Sequence, residues 1–287
     1  MPELPEVETV VRALARQLVG RRITAVHVCH KPSIAGTPQQ PSCVCGLRVQ
    51  RVWRRAKFIR IELESGMGMA IHLRMTGWLG ILDSLVLSPP PAPSRKGRGS
   101  TVLQSHVRLW FELDGGPQRL VFRDIRTFGR VWCGPVRTLD ALPALSQLGP
   151  EPLKLRTEDF VQRLRSRRGR LKSLLLNQKF LAGVGNIYAD ESLFAARLHP
   201  LADAGSVSAP QAAALLRAIK RILAAAIKAG GTSISDFLNP DGEQGWFQRR
   251  LRVYGRAGRP CVRCRATIQR LLVGQRGTWF CPRCQKR

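Results

Sequence analysis

The sequence predicts an α+β fold in which an N-terminal antiparallel β-sandwich with a leading helix precedes a helical C-terminal part. Three observations support this prediction. Several short segments before residue 135 alternate apolar and polar residues, and no helical pattern separates them. Beyond about residue 140, the apolar residues recur at the helical period. The C-terminal end holds two Cys-x2-Cys pairs, a pattern typical of a small metal-bound finger.

Residues 5–19 are predicted to form the leading helix. Their apolar residues fall on one face at the helical period, namely Val7, Val10, Val11, Leu14 and Leu18. Pro5 suits the first helical position because its fixed φ is already helical, and Gly20 marks the end.

Short strands are predicted for the rest of the N-terminal half. The alternation is clearest in FIRIEL (58–63) and RLWFEL (108–113), and the inward residues would be Ile59, Ile61 and Leu63 in the first and Leu109, Phe111 and Leu113 in the second. Further candidates are RITAVHV, MAIHL, RLVFRD and RVWC. Many short strands without helices between them indicate an antiparallel sandwich or barrel. The segment 83–105, whose centre is rich in Pro, Gly, Ser and basic residues, is expected to be a flexible surface insertion.

Helices are predicted for the C-terminal part. The segment TEDFVQRL begins with Thr157 as its N-cap, and two acidic residues follow in the first turn. The segment RLKSLLLNQKFLAGVGNIYADESLFAARLHP holds two helical stretches around a break that contains glycines. The next helix ends at Gly230–Gly231. Its apolar stripe consists of Ala212, Leu215, Leu216, Ile219, Ile222, Leu223 and Ala226.

The charge balance indicates a polyanionic partner. Forty-seven Lys and Arg residues against nineteen Asp and Glu residues give a formal net charge of +28. A positive field of this size concentrates polyanions, so nucleic acid is the first candidate and an anionic membrane surface the second. The membrane alternative is weaker because no apolar run approaches the roughly 18 residues of a spanning helix. The acidic start lacks the features of a signal peptide, so an intracellular, soluble protein is expected.

The eight cysteines form two groups. Four stand at the C-terminus with the spacing of a tetrahedral structural zinc site, namely Cys261, Cys264, Cys281 and Cys284. Four thiolates leave no open coordination position, so catalysis at this metal is not expected. A redox dithiol pair is the alternative, but no βαβ pattern accompanies it. The scattered cysteines are expected to be packing thiols rather than disulfides, and these are Cys29, Cys43, Cys45 and Cys133.

The first residues carry a possible nucleophile. Pro2 follows Met1, and a small second residue normally permits removal of the initiator. The exposed secondary amine would titrate near pH ~8, so a useful fraction would be neutral at physiological pH. Glu3 and Glu6 supply carboxyl groups nearby, and an amine with a carboxylic acid suits Schiff-base chemistry on a sugar aldehyde carbon. The alternative is that an N-terminal proline has no function.

The opening MPELPEVE resembles that of formamidopyrimidine-DNA glycosylases, in the wider family that includes endonuclease VIII. The resemblance extends nearly from end to end. The matching motifs occur in order and are RRAKFI, IHLRMTG, HVRLWFEL, FRDIRTFG, LGPEPL, KSLLLNQKFLAGVGNIYADESLF, LHP, GGTSISDF, VYGR and the cysteine pattern. Two departures are visible: RRAK stands where the family often has RRGK, and residues 83–105 look like an added loop.

The resemblance implies catalytic roles near the N-terminus. Pro2 would be the nucleophile that attacks the anomeric carbon of the damaged nucleotide, and Glu3 the general acid that helps to open the sugar. Glu6 would support the site. Lys57 matches a lysine that binds phosphate and assists strand cleavage. Without the motif, Lys57 would be read as one of many basic residues on a solvated face.

The resemblance also implies DNA contacts. Met75, Arg126 and Phe128 match three residues that are inserted into the duplex when the damaged base is flipped out. For Met75 and Phe128, the alternative is that they are ordinary core residues. The positions that match phosphate contacts are His72, Lys172, Asn186 and Arg276. The glycines beside Asn186 would let the backbone approach a phosphate closely.

The implied organisation has four parts. They are an N-terminal β-sandwich catalytic domain (1–135), a helix–two-turns–helix module (136–231) that grips the DNA backbone, a lesion-capping loop region (232–250) and a zinc finger (251–287). The resemblance implies a monomer with one structural zinc ion that binds damaged double-stranded DNA in a basic cleft. A cytoplasmic, nucleoid-associated location of bacterial type is expected.

The implied activity is excision of 8-oxoguanine and formamidopyrimidines, followed by β,δ-elimination through an imine at Pro2. One alternative is an endonuclease VIII-type preference for oxidised pyrimidines, although that branch more often has Gly where Leu4 stands. Another, from a different class, is a non-catalytic zinc-finger DNA-binding protein, which would have no use for a free Pro2.

Overall fold

The computed structural model describes residues 1–34, 40–83, 106–233 and 244–287. The chain divides into two compact units. The first comprises residues 1–2, 6–146 and 233–245, and the second comprises residues 3–5, 147–232 and 246–287. Most of the predicted insertion (84–105) and of the predicted capping loop (234–243) lies outside the described residues. No helix in the described part of the chain is both long and apolar enough to span a bilayer.

The leading helix, α1, spans Leu4–Leu18. It therefore begins and ends one residue earlier than predicted, within the usual uncertainty of helix ends. The predicted apolar face is confirmed, because all five of its residues are buried in the core of the first unit.

The first unit is the predicted antiparallel β-sandwich. One four-stranded sheet has the order β1-β6-β7-β5 and the other the order β2-β3-β4-β8. The strands are β1 (Ile23–Val28), β2 (Val49–Arg55), β3 (Phe58–Leu63), β4 (Met67–His72), β5 (Gly77–Asp83), β6 (Val107–Leu113), β7 (Gln118–Asp124) and β8 (Arg130–Pro135). The short helices α2 (Val136–Ala141) and α3 (Pro143–Ser146) follow the sandwich.

The burial of β3 differs in part from its predicted alternation. Ile59, Ile61 and Leu63 are buried as expected, but Arg60 on the opposite face is buried as well. Its guanidinium donates a hydrogen bond to Oδ1 of Asp140 at 2.6 Å and lies over the ring of Trp53. The ion pair and the ring contact explain how a charged residue is accommodated beneath the surface.

The second unit contains four α-helices and a C-terminal hairpin. The helices are α4 (Thr157–Arg165), α5 (Leu171–Leu176), α6 (Asn186–Ala196) and α7 (Ala209–Lys228), and the hairpin pairs β9 (Gln269–Val273) with β10 (Arg276–Phe280). The predicted N-cap of α4 is wrong by one residue, because Thr157 is already helical and Arg156 is the cap. The predicted stripe of α7 is buried apart from Ile222, which is partly buried.

The scattered cysteines are free thiols, as expected. Cys133 is buried in the sandwich and Cys43 and Cys45 are half-buried. Cys29 is exposed, so its predicted role as a packing thiol is wrong: its position just after β1 leaves it at the surface.

Candidate functional site

The carboxylate of Glu3 is held by the first turn of α6. Its side chain is 2% exposed. Oε2 accepts a hydrogen bond from the backbone amide of Gly185 at 2.7 Å, and Oε1 accepts one from the amide of Ile187 at 2.9 Å. Amides at a helix start have no partner within the helix, and the positive end of the helix dipole favours a negative group. The arrangement fixes both oxygens of Glu3.

Two glycines make room for this arrangement. A Cβ atom at Gly185 would lie 2.3 Å from Cδ of Glu3, closer than atoms can approach. Gly183 has a φ of +95°, and a Cβ there would lie 2.7 Å from a methyl carbon of Leu4. The sequence suggested that these glycines admit a phosphate. The structure shows that they admit the N-terminal segment of this chain.

Three of the predicted catalytic residues belong to the first unit. Pro2 and Glu6 are buried. Lys57 is also buried, at 6% exposure, which excludes its interpretation as a solvated surface charge. It lies in the tight turn between β2 and β3, directly after Ala56, whose φ is +52°. This left-handed conformation explains why glycine suits the position in the RRGK form of the motif.

His72 is a neutral imidazole in this structure. Its ring is 9% exposed and lies edge-on to Phe58. Burial and the positive charges of Arg74 and Lys57 lower its pKa to about 3. Nδ1 accepts a hydrogen bond from the amide of Arg74 at 3.0 Å, so the proton of the neutral ring is on Nε2. At neutral pH His72 can therefore donate a hydrogen bond to an anion but contributes no charge.

Met75, Arg126 and Phe128 come together at the surface of the first unit. Met75 is 42% exposed and Phe128 is 47% exposed, which excludes the alternative that they are core residues. The Arg126 guanidinium reaches both, since Nη1 lies 3.3 Å from Sδ of Met75 and Cζ lies 4.8 Å from the ring centre of Phe128. We call these three residues the wedge cluster. Ile125 beside it is also exposed.

Sequence reasoning missed Asp124, the residue that holds the wedge cluster in place. Its side chain is 1% exposed. Oδ1 accepts a hydrogen bond from Oγ1 of Thr76 at 2.5 Å and a longer one from the amide of Arg126 at 3.3 Å. Oδ2 accepts one from the amide of Gly129 at 2.6 Å. One carboxylate thus joins the two segments that carry the wedge cluster. The sequence signal that could have identified Asp124 is that it is a lone acid within the basic motif FRDIRTFG.

The prediction that Lys172 contacts phosphate is wrong. Lys172 is fully buried. Its Nζ lies 2.7 Å from Oδ1 of Asp190 and donates hydrogen bonds to Oγ1 of Thr278 and the carbonyl of Gly277. Burial raises the pKa of Asp190 and lowers that of Lys172, while their mutual attraction opposes both shifts. Lys172 therefore anchors strand β10 and has no donor left for a ligand.

The other two positions in the second unit remain accessible. Asn186, the first residue of α6, is half-buried and donates from Nδ2 to the carbonyl of Gly277 at 2.9 Å. Arg276, the first residue of β10, is exposed. The same strand is therefore tied to α5 through Lys172 and to α6 through Asn186.

The four C-terminal cysteines form a compact cluster. Their Sγ atoms all lie within 4.8 Å of one another, and the β9–β10 hairpin separates the two pairs. The Sγ atoms of Cys264 and Cys281 are 3.4 Å apart, and those of Cys261 and Cys284 are 3.9 Å apart. Both distances are close to the separation of about 3.8 Å expected around a tetrahedral zinc ion with Zn–S bonds of about 2.3 Å. The donor set fits one structural zinc ion.

We expect Cys281→Ser to lose the zinc ion and to weaken DNA binding, while the rest of the protein stays folded. The binding energy of zinc stabilises the finger, so the hairpin that carries Arg276 should lose its fixed position. Metal analysis and fluorescence anisotropy with a DNA duplex would measure both effects. Cys29→Ser, which changes an exposed thiol, is the matched control. Unchanged DNA affinity in a zinc-free variant would contradict this prediction.

Family models match most of the chain. The formamidopyrimidine-DNA glycosylase N-terminal domain matches residues 1–131, and the formamidopyrimidine-DNA glycosylase H2TH domain matches residues 148–238. A zinc finger found in FPG and IleRS matches residues 258–287.

Relatives and solved structures extend this similarity over nearly the whole chain. Formamidopyrimidine-DNA glycosylase from Chloroflexus aggregans is 43% identical over 293 residues, which cover 99% of this chain and 98% of the relative. The one from Pelotomaculum thermopropionicum is 41% identical over 291 residues, which cover 100% of this chain and 99% of the relative. The crystal structure of the MutM (Fpg) protein from Thermus thermophilus has a TM-score of 0.84 at 38% identity, with 99% of this chain and 98% of that one covered. A complex of Lactococcus lactis Fpg (MutM) with Fapy-dG containing DNA has a TM-score of 0.85 at 32% identity, with 99% of this chain and 100% of that one covered.

Proposed function

The chain belongs to the formamidopyrimidine-DNA glycosylase family, and from this premise we propose that it excises 8-oxoguanine and formamidopyrimidines from duplex DNA and then cleaves the abasic strand. Membership makes it a DNA repair glycosylase. The observation that best supports the finer proposal is the fixed carboxylate of Glu3, directly after Pro2 in the chain. A held carboxyl group next to a potential amine nucleophile is what imine chemistry requires.

In the proposed first step, the wedge cluster enters the duplex. A base within the stack cannot reach a catalytic group, so the damaged nucleotide must be rotated out. Met75 and Phe128 supply apolar surface that separates neighbouring base pairs, and Arg126 occupies the vacated position. Their exposure and their mutual contacts support this role.

In the second step, the nitrogen of Pro2 attacks C1′ of the damaged nucleotide. The N-glycosyl bond breaks, and the base leaves with its bonding electrons and takes up a proton from solvent. The Glu3 carboxylate accepts the proton that the Pro2 nitrogen loses and delivers it to the sugar ring oxygen as the ring opens, which leaves an iminium ion between Pro2 and C1′. Glu6 supports this site.

In the third step, the iminium ion acidifies the C2′ proton. Its removal expels the 3′ phosphate by β-elimination, and a second elimination expels the 5′ phosphate. Lys57 and His72 would bind phosphate, His72 as a neutral donor through Nε2. Asn186 and Arg276 would hold further phosphates.

The roles of the four parts of the chain are proposed on the same premise. Residues 1–135 would carry catalysis, residues 136–231 would bind the DNA backbone, residues 232–250 would cap the lesion, and residues 251–287 would form the zinc-dependent DNA contact.

A panel of defined lesions tests the proposed substrate class. Duplexes that carry 8-oxoguanine, a formamidopyrimidine or an oxidised pyrimidine, each opposite every base, should show faster single-turnover excision of the purine lesions. Leu4 supports the purine branch. Faster excision of the oxidised pyrimidines would instead establish the endonuclease VIII-type alternative.

Asp124→Asn should selectively impair base excision. Asparagine offers one acceptor oxygen where Asp124 has two, and its amide group would face the donors that now bind Asp124. A misplaced wedge cluster should slow excision of 8-oxoguanine by about tenfold to a hundredfold. Cleavage of a preformed abasic site should fall less, because less must be extruded from the stack.

The matched control is Asp114→Asn, which changes an aspartate of the same unit whose Oδ1 binds the amide of Arg22. It should leave the ratio of excision to abasic-site cleavage unchanged. Equal losses of both activities in Asp124→Asn would show that this residue has only a general structural role.

A further inference from the structure

A cavity of about 410 Å³ lies in the second unit, outside the residues assigned to the reaction. Its walls come from α6, α7, the short 3-10 helix Phe247–Arg250 and the first zinc-binding segment. Four arginines line it, namely Arg221, Arg250, Arg252 and Arg263. Glu191 is the one carboxylate among the lining residues.

Glu191 and Arg263 already have partners within the protein. Glu191 accepts hydrogen bonds from the backbone amides of residues 252, 253 and 254 at 2.9 to 3.0 Å. Arg263 donates to the carbonyls of Phe194 and Ala195 at the C-terminal end of α6, where a positive charge is favourable. These contacts use the carboxylate and one of the four guanidinium groups.

The other three guanidinium groups have no such partner. Within the described residues, Arg221, Arg250 and Arg252 make no side-chain hydrogen bond or ion pair, and all three are exposed. Like charges that line one cavity repel one another, and an anion between them would remove this repulsion. The planar fork of arginine suits the oxygen atoms of a phosphate group.

Apolar side chains complete the wall of the cavity. Val262, which is 42% exposed, and the partly buried Ile222 supply aliphatic surface beside the arginines. Phe194 and Phe247 also line the cavity but are nearly buried. The volume lies within the range of pockets that enclose small organic ligands. The combination suits a ligand with an anionic end and an apolar body.

The cavity is separate from the backbone amides that bind Glu3. Glu3 binds the amides at the N-terminal end of α6, whereas Phe194 and Ala195 lie at its C-terminal end. Phe194 lies eight positions after Asn186, which corresponds to about 12 Å along the helix. A ligand in the cavity would therefore leave the Glu3 carboxylate unobstructed.

We propose that this cavity binds a nucleotide, with its phosphates on Arg221, Arg250 and Arg252 and its base against the apolar wall. The nucleotide has two possible sources with the same chemistry. It is either free in solution or part of a DNA strand outside the lesion.

Binding of a fluorescent ATP analogue, followed by anisotropy without DNA at about 150 mM salt, tests the proposal. The triple variant Arg221→Gln, Arg250→Gln, Arg252→Gln should bind the analogue at least tenfold more weakly than the unmodified protein. The control variant Arg168→Gln, Arg217→Gln, Arg259→Gln removes three exposed charges of the same unit from outside the cavity, and it should change the affinity less than twofold. Equal zinc content and equal melting temperature would establish that both variants are folded, and Arg250→Gln alone should show a smaller loss in the same direction.

Competitors distinguish the two sources. Displacement by unlabelled ATP and pyrophosphate at lower concentrations than by a four-nucleotide single strand would indicate a free nucleotide, and the reverse order would indicate a strand. Absence of binding at millimolar concentrations, or equal losses in the two triple variants, would overturn the proposal. Because no DNA lesion is present, neither result depends on the proposed excision activity.

Discussion

A preparation that retains Met1 should bind damaged duplex DNA but cleave it at least about a thousandfold more slowly than the processed protein, a loss typical for removal of a covalent nucleophile. With Met1 attached, the nitrogen of Pro2 belongs to a tertiary amide whose lone pair is delocalised, so it cannot form an imine. Any N-terminal tag should have the same effect. Single-turnover cleavage of an 8-oxoguanine duplex, together with mass spectrometry of the N-terminus, would measure this.

Borohydride trapping provides the control for this prediction. Reduction should attach an abasic-site oligonucleotide to the processed protein only, and peptide mapping should place the adduct on Pro2. Lys57 also carries an amine and is buried, so peptide mapping must distinguish it from Pro2. Full activity in a verified Met1-retaining sample, or an adduct on Lys57, would contradict the assignment of the nucleophile.

Gly185→Ala should abolish most base excision without unfolding the protein. The new Cβ would lie 2.3 Å from Cδ of Glu3, so the Glu3 carboxylate must leave its position on the amides of Gly185 and Ile187. Loss of a positioned proton donor typically costs about a hundredfold to ten-thousandfold in rate. Excision kinetics and a melting curve would separate the catalytic effect from the structural one.

Two further substitutions make this test specific. Gly205→Ala is the control, because the nearest atom to its Cβ would be 3.1 Å away and the backbone there has no positive φ. Glu3→Gln keeps the shape of the side chain but turns one acceptor into a donor that faces a backbone amide. It should retain lesion binding and lose excision. Near-normal excision by Gly185→Ala would show that the position of Glu3 is not important for catalysis.

The sequence predicted features that depend on local periodicity. The apolar face of α1, the inward residues of β6 and the stripe of α7 are buried as expected, because spacing alone determines which residues share a face. Strands β2 and β5 were not predicted. In β2, arginines interrupt the alternation, and their ring contacts and ion pairs become visible only in the folded sheet.

The features that sequence reasoning missed depend on contacts between distant residues. Lys172 looked like a phosphate ligand, but Asp190 and the hairpin surround it. The glycines of GVGNIY looked like a phosphate loop, but Glu3 and Leu4 from the opposite end of the chain fill the space beside them. Asp124 carried no recognisable motif role, because its function lies in joining Thr76 to Gly129.

The contacts within the wedge cluster have a consequence for how fast the protein can search DNA. Arg126 already rests on Phe128 and reaches the sulfur of Met75, and Asp124 fixes the turn beneath them. If the wedge cluster inserts into DNA as proposed, side chains that already contact one another lose less rotamer freedom on insertion, which lowers the barrier to probing each base pair. A net charge of +28 would at the same time hold the protein close to the phosphate backbone, so we expect rapid scanning of undamaged sequence.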